Sequence, residues 1–285
     1  MSCRRVLSAL ALLICSASGA DDYQLGLLSQ ENPTVPKGKV IPMPVHESKI
    51  FPGTRRDWWV YVPAQARADQ PANLMVFQDG HDYVGVKGAW RVPVVFDNLI
   101  ASGAMKPTVA VFLNPGHIGD AKPASAWKNN NRGKEYNSLG DSYARFLLEE
   151  ILPQVQKIQP LTEDPEGWAI GGASSGAICA FTVAWERPDK FRKVFSTIGS
   201  YVDLAGGHVY PSLIRITERK PLRIYLQDGS GDIDNTFGNW PIANRQMAAA
   251  LAFMKYDFTF TFGDGAHNSK HGASLFPEAM KWLWR

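Results

Sequence analysis

Short apolar runs alternate along this chain with longer stretches in which apolar residues recur at helical spacing. Asp57 to Val62 (DWWVYV) is aromatic and β-branched, and Pro63 ends it. Leu74 to Phe77 and Val109 to Leu113 are continuous apolar runs, and Trp168 to Ile170, Val194 to Ile198, Leu222 to Leu226 and Phe258 to Phe262 repeat the pattern. Such runs suit strands buried on both faces of a parallel sheet. Between them, Tyr143, Phe146, Leu147, Ile151, Val155 and Ile158 mark one face of an amphipathic helix, with Pro153 as a potential kink. Ala177 to Trp185, Ile242 to Met254 and Leu275 to Trp284 are further helical segments. Strands alternating with helices predict an α/β fold, a mostly parallel central sheet covered on both faces.

Two regions depart from the alternation. Residues 21–50 carry Pro33, Pro36, Pro42 and Pro44 with little periodicity, which predicts an extended lead-in to one domain over 51–285. Asn114 to Gly140 is polar and rich in Gly and Pro. It follows a predicted strand, so it belongs at the carboxyl edge of the sheet, where α/β folds bind ligands.

The first twenty residues read as a secretory signal peptide. Arg4 and Arg5 form the basic start, Val6 to Cys15 the apolar stretch, and Ser18-Gly19-Ala20 a small-residue cleavage site. A secreted or periplasmic protein follows, with no membrane segment once the signal is cut. The chain of 285 residues is 45% hydrophobic and 20% charged, an ordinary globular composition. Its 30 basic side chains become 28 without Arg4 and Arg5, against 27 acidic ones. That balance gives no electrostatic footprint for nucleic acid. Cys3 and Cys15 leave with the signal, so Cys179 stands alone and the domain must rest on its core.

The strongest chemical signal is Gly172-Ala173-Ser174-Ser175-Gly176, directly after an apolar strand and before a helix. In that context G-x-S-x-G is a sharp turn that lifts a serine hydroxyl clear of the sheet. It also leaves the Ser175 N–H at a helix N-terminus, where it can stabilise an oxyanion. A serine needs a base, and in this chain order an acid and then a histidine follow. His267, in the turn after DFTFTF, fits the base; His271 reads as a solvent-facing or loop-bracing histidine. Their i, i+4 spacing resembles a zinc pair, but Gly265 and Gly272 disfavour a helix through them and no glutamate intervenes. Asp228, Asp232 and Asp234 compete for the acid; Asp232, after a flexible Gly-Ser-Gly, is preferred, with Asp228 second. The second oxyanion donor is expected from Gln78-Asp79-Gly80-His81, as the His81 N–H. The His81 side chain can contact substrate or line the pocket.

With these pieces in view, the chain resembles the exported branch of the enterochelin-esterase-like α/β-hydrolases, related to feruloyl and acetyl-xylan esterases and to esterase D. The resemblance spans roughly residues 40–285. It rests on WWVYVP, VFQDG, the R-x-x-E-Y of Arg132, Glu135 and Tyr136, YARFLLEEILPQV, GGASSGAICAFTVAWERPDKFRKVFSTIGSY, LRIYLQDGSGDIDN, GDGAHN and KWLW. It implies the α/β-hydrolase fold and a triad of Ser174, Asp232 and His267, with Ala177 standing where a glycine is common. The activity implied is serine carboxylester hydrolysis, with no metal or cofactor, on small-molecule or polysaccharide esters. Trp127, Tyr136 and Trp240 suit stacking on a sugar or phenolic acyl group. A catecholate siderophore trilactone is the alternative, for which Arg132, Lys128 and Lys134 are candidate contacts, unless Arg132 pairs with Glu135. A non-catalytic binding protein on the same scaffold is a third reading.

Overall fold

Every apolar run predicted as a strand lies in one sheet. The structure, a computed structural model, describes residues 22–285; the expected signal segment and its cleavage site lie outside them. In chain order the strands of the main sheet are β1 (Lys39–Pro42), β2 (Trp58–Val62), β3 (Asn73–Gln78), β4 (Thr108–Leu113), β5 (Trp168–Ala173), β6 (Lys193–Thr197), β7 (Arg223–Gly231) and β8 (Asp257–Ala266). Their spatial order is β1-β2-β4-β3-β5-β6-β7-β8. β2 runs antiparallel to both its neighbours, and β3 to β8 are mutually parallel.

Successive side chains of a strand point to opposite faces, and here both faces are dry. Leu74 and Val76 of β3 join one core, and Met75 and Phe77 join the other. The helices are α1 (Gly80–Tyr83), α2 (Val92–Ala101), α3 (Arg132–Asn137), α4 (Ser142–Arg145), α5 (Leu152–Gln156), α6 (Ser175–Glu186), α7 (Tyr210–Ile216), α8 (Trp240–Phe253) and α9 (Ser269–Leu283). α2 and α9 cover one face through Val95, Phe96, Phe276 and Met280, while α6, α7 and α8 cover the other through Phe181, Ile214 and Met247.

The predicted helix from Tyr143 is present but divided. α4 and α5 flank a π-helical segment, Phe146–Ile151. Pro153 sits in the first turn of α5, and its missing N–H and ring account for the break in the regular α-helical ladder.

Residues 22–50 are more than a lead-in. They supply β1, an edge strand on which Pro42 is tolerated as the last residue. Upstream of β1 the segment is strapped to α2, where Asn98 Nδ2 donates to the Leu28 and Gln30 carbonyls. The polar stretch after β4 is likewise built. Residues 117–118 pair with Thr54–Arg56, and α3 closes the segment. Among the described residues no helix is long and apolar enough to cross a membrane.

Candidate active site

At the carboxyl end of β5 the chain must reverse into α6 within one residue, and Ser174 takes that turn at φ 58°, ψ −122°. An L-residue held there stores on the order of 1–3 kcal/mol of strain. The turn closes because Gly172 and Gly176 lack side chains. A Cβ on Gly172 would lie 2.6 Å from the Gly176 carbonyl carbon. The Ser174 N–H donates to the Thr197 carbonyl (3.0 Å), and its own carbonyl accepts from the Ser200 N–H (3.2 Å). The backbone is fixed from both sides, and the hydroxyl points out of the sheet edge.

Three separate strand ends converge on that hydroxyl. His267, just past β8, puts Nε2 2.9 Å from Ser174 Oγ. Its Nδ1 is 2.5 Å from Asp232 Oδ1, beyond the end of β7. A ring that donates from Nδ1 to the carboxylate leaves the Nε2 lone pair facing the serine O–H. Asp232 Oδ1 also accepts from the Ile233 N–H (2.6 Å). Ser200 Oγ lies 3.2 Å from Ser174 Oγ and accepts from Trp240 Nε1 at 3.2 Å. Trp240 is buried and meets the His267 ring edge-on at 5.8 Å, so it walls the histidine and offers no stacking face to a ligand.

Asp228, the second candidate for the acid, does not face His267. β7 continues past Leu226 through Gly231, and Asp228 is a strand residue with no solvent exposure. The extension needs Gly229, where a Cβ would lie 2.2 Å from the Gly265 carbonyl oxygen. The Asp228 carboxyl accepts from the Gly229 N–H (2.8 Å) and from Asn244 Nδ2 (2.9 Å). Burial, then the neighbouring Asp232, push its pKa up to about 9. His271 is buried rather than solvent-facing. It bonds Gln227 at Nδ1 (2.9 Å), stacks on Tyr23 at 4.1 Å, and its pKa is lowered by burial. The two histidines therefore do not converge on a common point, and among the described residues no group of three or more His, Cys, Asp or Glu is arranged for a metal.

Of the expected oxyanion donors, Ser175 opens α6, and a first-turn N–H has no carbonyl behind it to bond. The His81 N–H is engaged, donating to Asn114 Oδ1 at 3.0 Å, and His81 Nδ1 meets the same oxygen at 2.9 Å.

A cavity of about 350 Å³ opens beside the serine, lined by Trp127, Arg132, Ser174, Ile198, His267 and Ser269. Trp127 is 39% exposed and lies over the Arg132 guanidinium at 4.8 Å and edge-on to His81 at 5.4 Å. Arg132 is clamped by Asp79 through two bonds of 2.9 and 2.8 Å, not by Glu135. Burial alone would lower its pKa, but the Asp79 charge reverses this and raises it.

Glu135 and Tyr136 do not reach the cavity. Glu135 is fully buried, bound by Arg56 at 2.6 and 3.1 Å, by Asn131 Nδ2 at 2.7 Å and by the Gly116 N–H at 3.2 Å. Tyr136 is buried beneath Asp79, accepting from the Asp79 N–H at 3.1 Å. Both are scaffold for the segment that presents Trp127 and Arg132. Arg56, Asp79, Asn114 and Ser200 went unread in the sequence. Asp79 stood in the VFQDG run and Ser200 near the end of the run closing on STIGSY, whereas Arg56 and Asn114 carry no local signal.

The family model described as "Putative esterase" matches residues 48–234. The chain belongs to this esterase family. The matched stretch holds Ser174 and Asp232, and His267 lies beyond it. Among sequences, the esterase is 23% identical over 227 residues to the Bacillus subtilis protein named "Uncharacterized protein YjcH", covering 78% of this chain and 88% of that one. Among solved structures, the enterobactin esterase of Shigella flexneri superposes with a TM-score of 0.69 at 21% identity, over 90% of this chain and 61% of that one. A ferulic acid esterase superposes with a TM-score of 0.64 at 17% identity, over 87% and 98%. The fold is that of the α/β-hydrolase esterases. The esterase spans less than two thirds of the Shigella enzyme's length and nearly all of the ferulic acid esterase's.

Proposed function

We propose that this esterase is an exported serine carboxylester hydrolase that works through an acyl-enzyme. The observation carrying the reading is that His267 lies within hydrogen-bond reach of both Ser174 Oγ (2.9 Å) and Asp232 Oδ1 (2.5 Å), from three separate strand ends. Ser174 Oγ attacks the ester carbonyl as His267 Nε2 takes its proton. Asp232 holds the ring in the Nδ1–H tautomer and stabilises the imidazolium. The Ser175 N–H receives the oxyanion, and the His81 N–H joins it by leaving Asn114 Oδ1. The alcohol departs with the proton from His267, and water, deprotonated by the same nitrogen, releases the acid and regenerates Ser174.

The substrate class this reading favours is a neutral acyl ester, an acetyl or feruloyl group on carbohydrate or a phenolic ester. The cavity joins one partly exposed indole, Trp127, to one cation, Arg132, whose charge Asp79 already balances. Of the three basic candidates for a polyanionic siderophore trilactone, Arg132 lines the cavity at Ser174 and Lys128 and Lys134 do not; Lys134 lines a different groove, with Phe51 and Ser138. Export rests on the Arg4 to Ala20 pattern alone.

The test is hydrolysis of p-nitrophenyl acetate by wild type and Ser174→Ala. The variant should lose at least about a thousandfold in kcat while melting normally; full retained activity would refute the assignment. Parallel assays on methyl ferulate, acetyl-xylan and a catecholate trilactone then rank the substrates, and a preference for the trilactone would overturn the neutral-ester reading.

A further inference from the structure

Behind the Ser174–His267–Asp232 chain stands a second carboxyl that the mechanism above does not use. Asp232 binds His267 and the Ile233 N–H through Oδ1, while its Oδ2 is buried with no donor from any nitrogen or hydroxyl around it. A buried carboxylate oxygen without a partner is costly. The Asp232 carboxyl is hydrogen-bonded to the carboxyl of Asp228, four residues back on β7 and sealed from solvent. The turn between them is closed by the Asp232 N–H on the Gly229 carbonyl at 3.2 Å.

Building on the proposed reaction, we infer that Asp228 is a positioning residue which, as a neutral carboxylic acid, donates a hydrogen bond to Asp232 Oδ2 and so holds the carboxylate that orients His267. The pair carries one negative charge and one proton. Two adjacent buried carboxylates cannot both ionise cheaply, which agrees with the upward displacement at Asp228. The other side of Asp228 is neutral: Asn244 of α8 donates Nδ2 to it and to the Gly199 carbonyl. The titratable groups facing it are therefore Asp232 directly and His267 through Asp232. The cation of α8, Arg245, is laid over the Phe262 ring at 4.1 Å.

The experiment compares wild type, Asp228→Asn and Asp228→Leu by the rate at which a fluorophosphonate probe inactivates the enzyme, with the initial binding constant separated from the limiting rate. Asparagine retains a neutral donor for Asp232 Oδ2, and leucine removes it at similar volume. Asp228→Asn should react within about threefold of wild type. Asp228→Leu should be about 10–100-fold slower in the limiting rate, with probe binding unchanged. The wild-type rate should fall above about pH 9, as the second carboxyl ionises, and this fall should be absent in Asp228→Asn. An Asp228→Leu enzyme as fast as wild type would overturn the inference, as would an asparagine variant as slow as leucine. If Asp228→Leu does not fold, the comparison of pH profiles decides, and a fall that persists in Asp228→Asn refutes it. Failure of the probe to label wild type would overturn the proposed function itself, not the role of Asp228 alone.

Discussion

Replacing Arg56 by methionine removes the cation paired with Glu135, while leaving that carboxylate where it is. Both side chains have no solvent exposure, and the guanidinium makes two bonds to the carboxylate while lying 4.3 Å over the Phe146 ring. Breaking a buried pair from one side costs about 3–5 kcal/mol, because the partner charge stays buried and uncompensated. At about 2–4 °C per kcal/mol for a domain approaching this size, Arg56→Met should melt about 6–20 °C below wild type. Glu135 also accepts from Asn131 and the Gly116 N–H, so the proper second variant is glutamine, which keeps an acceptor and drops the charge. Arg56→Met/Glu135→Gln should regain at least half of the lost stability. Urea denaturation with an unchanged m-value, run beside calorimetry, gives the free energies. A single variant within about 1 kcal/mol of wild type, or a double variant no better than the single, would refute the claim that this pair anchors the segment carrying Trp127 and Arg132.

Three further outcomes follow from the same contacts. Ser200→Ala removes the hydroxyl 3.2 Å from the nucleophile, and kcat on p-nitrophenyl acetate should drop about 3–10-fold with KM unchanged, consistent with one lost hydrogen bond; an unchanged kcat would contradict it. Tyr23→Ala removes both the stack on His271 and the bond from the phenol to Asp264 Oδ1; it should cost about 1–2 kcal/mol in chemical denaturation, and a loss below about 0.3 kcal/mol would show that the N-terminal segment does not brace the His267 turn. Asp228 carries a pKa raised from 3.8 to about 9, so the folded state binds more protons than the unfolded across that window. Its contribution to stability is complete below the unfolded value and is lost as pH rises towards 9. The melting temperature of wild type relative to Asp228→Asn should therefore decline between pH 5 and pH 9, and a constant difference would count against the protonated form.

The sheet was legible because a strand buried on both faces has to be a continuous apolar run, as LMVF and VAVFL are. The elbow was legible because a turn at φ 58° flanked by glycines leaves a local signature. α2 was not, since VPVVFDNLIA is buried on nearly every side and shows no polar face to set a period. β1 was hidden by Pro42 and the prolines around it; a proline within the strand is tolerated because β1 lies at the sheet's edge. The assignment of Glu135 and Tyr136 to the ligand failed for a different reason. Their burial depends on Arg56, 79 residues upstream, and on Asp79, which closes over Tyr136. No local pattern encodes partners so distant. The choice between Asp228 and Asp232 turned on the strand running on past Leu226, which Gly229 and Gly265 permit by bringing two backbones together.

The central claim concerns one hydroxyl among three neighbouring serines, Ser174, Ser175 and Ser200. Brief treatment with a fluorophosphonate followed by peptide mass mapping tests it most directly. One adduct per chain is expected, on Ser174, with none in Ser174→Ala. An unmodified protein, or an adduct on Ser175 or Ser200, would contradict it.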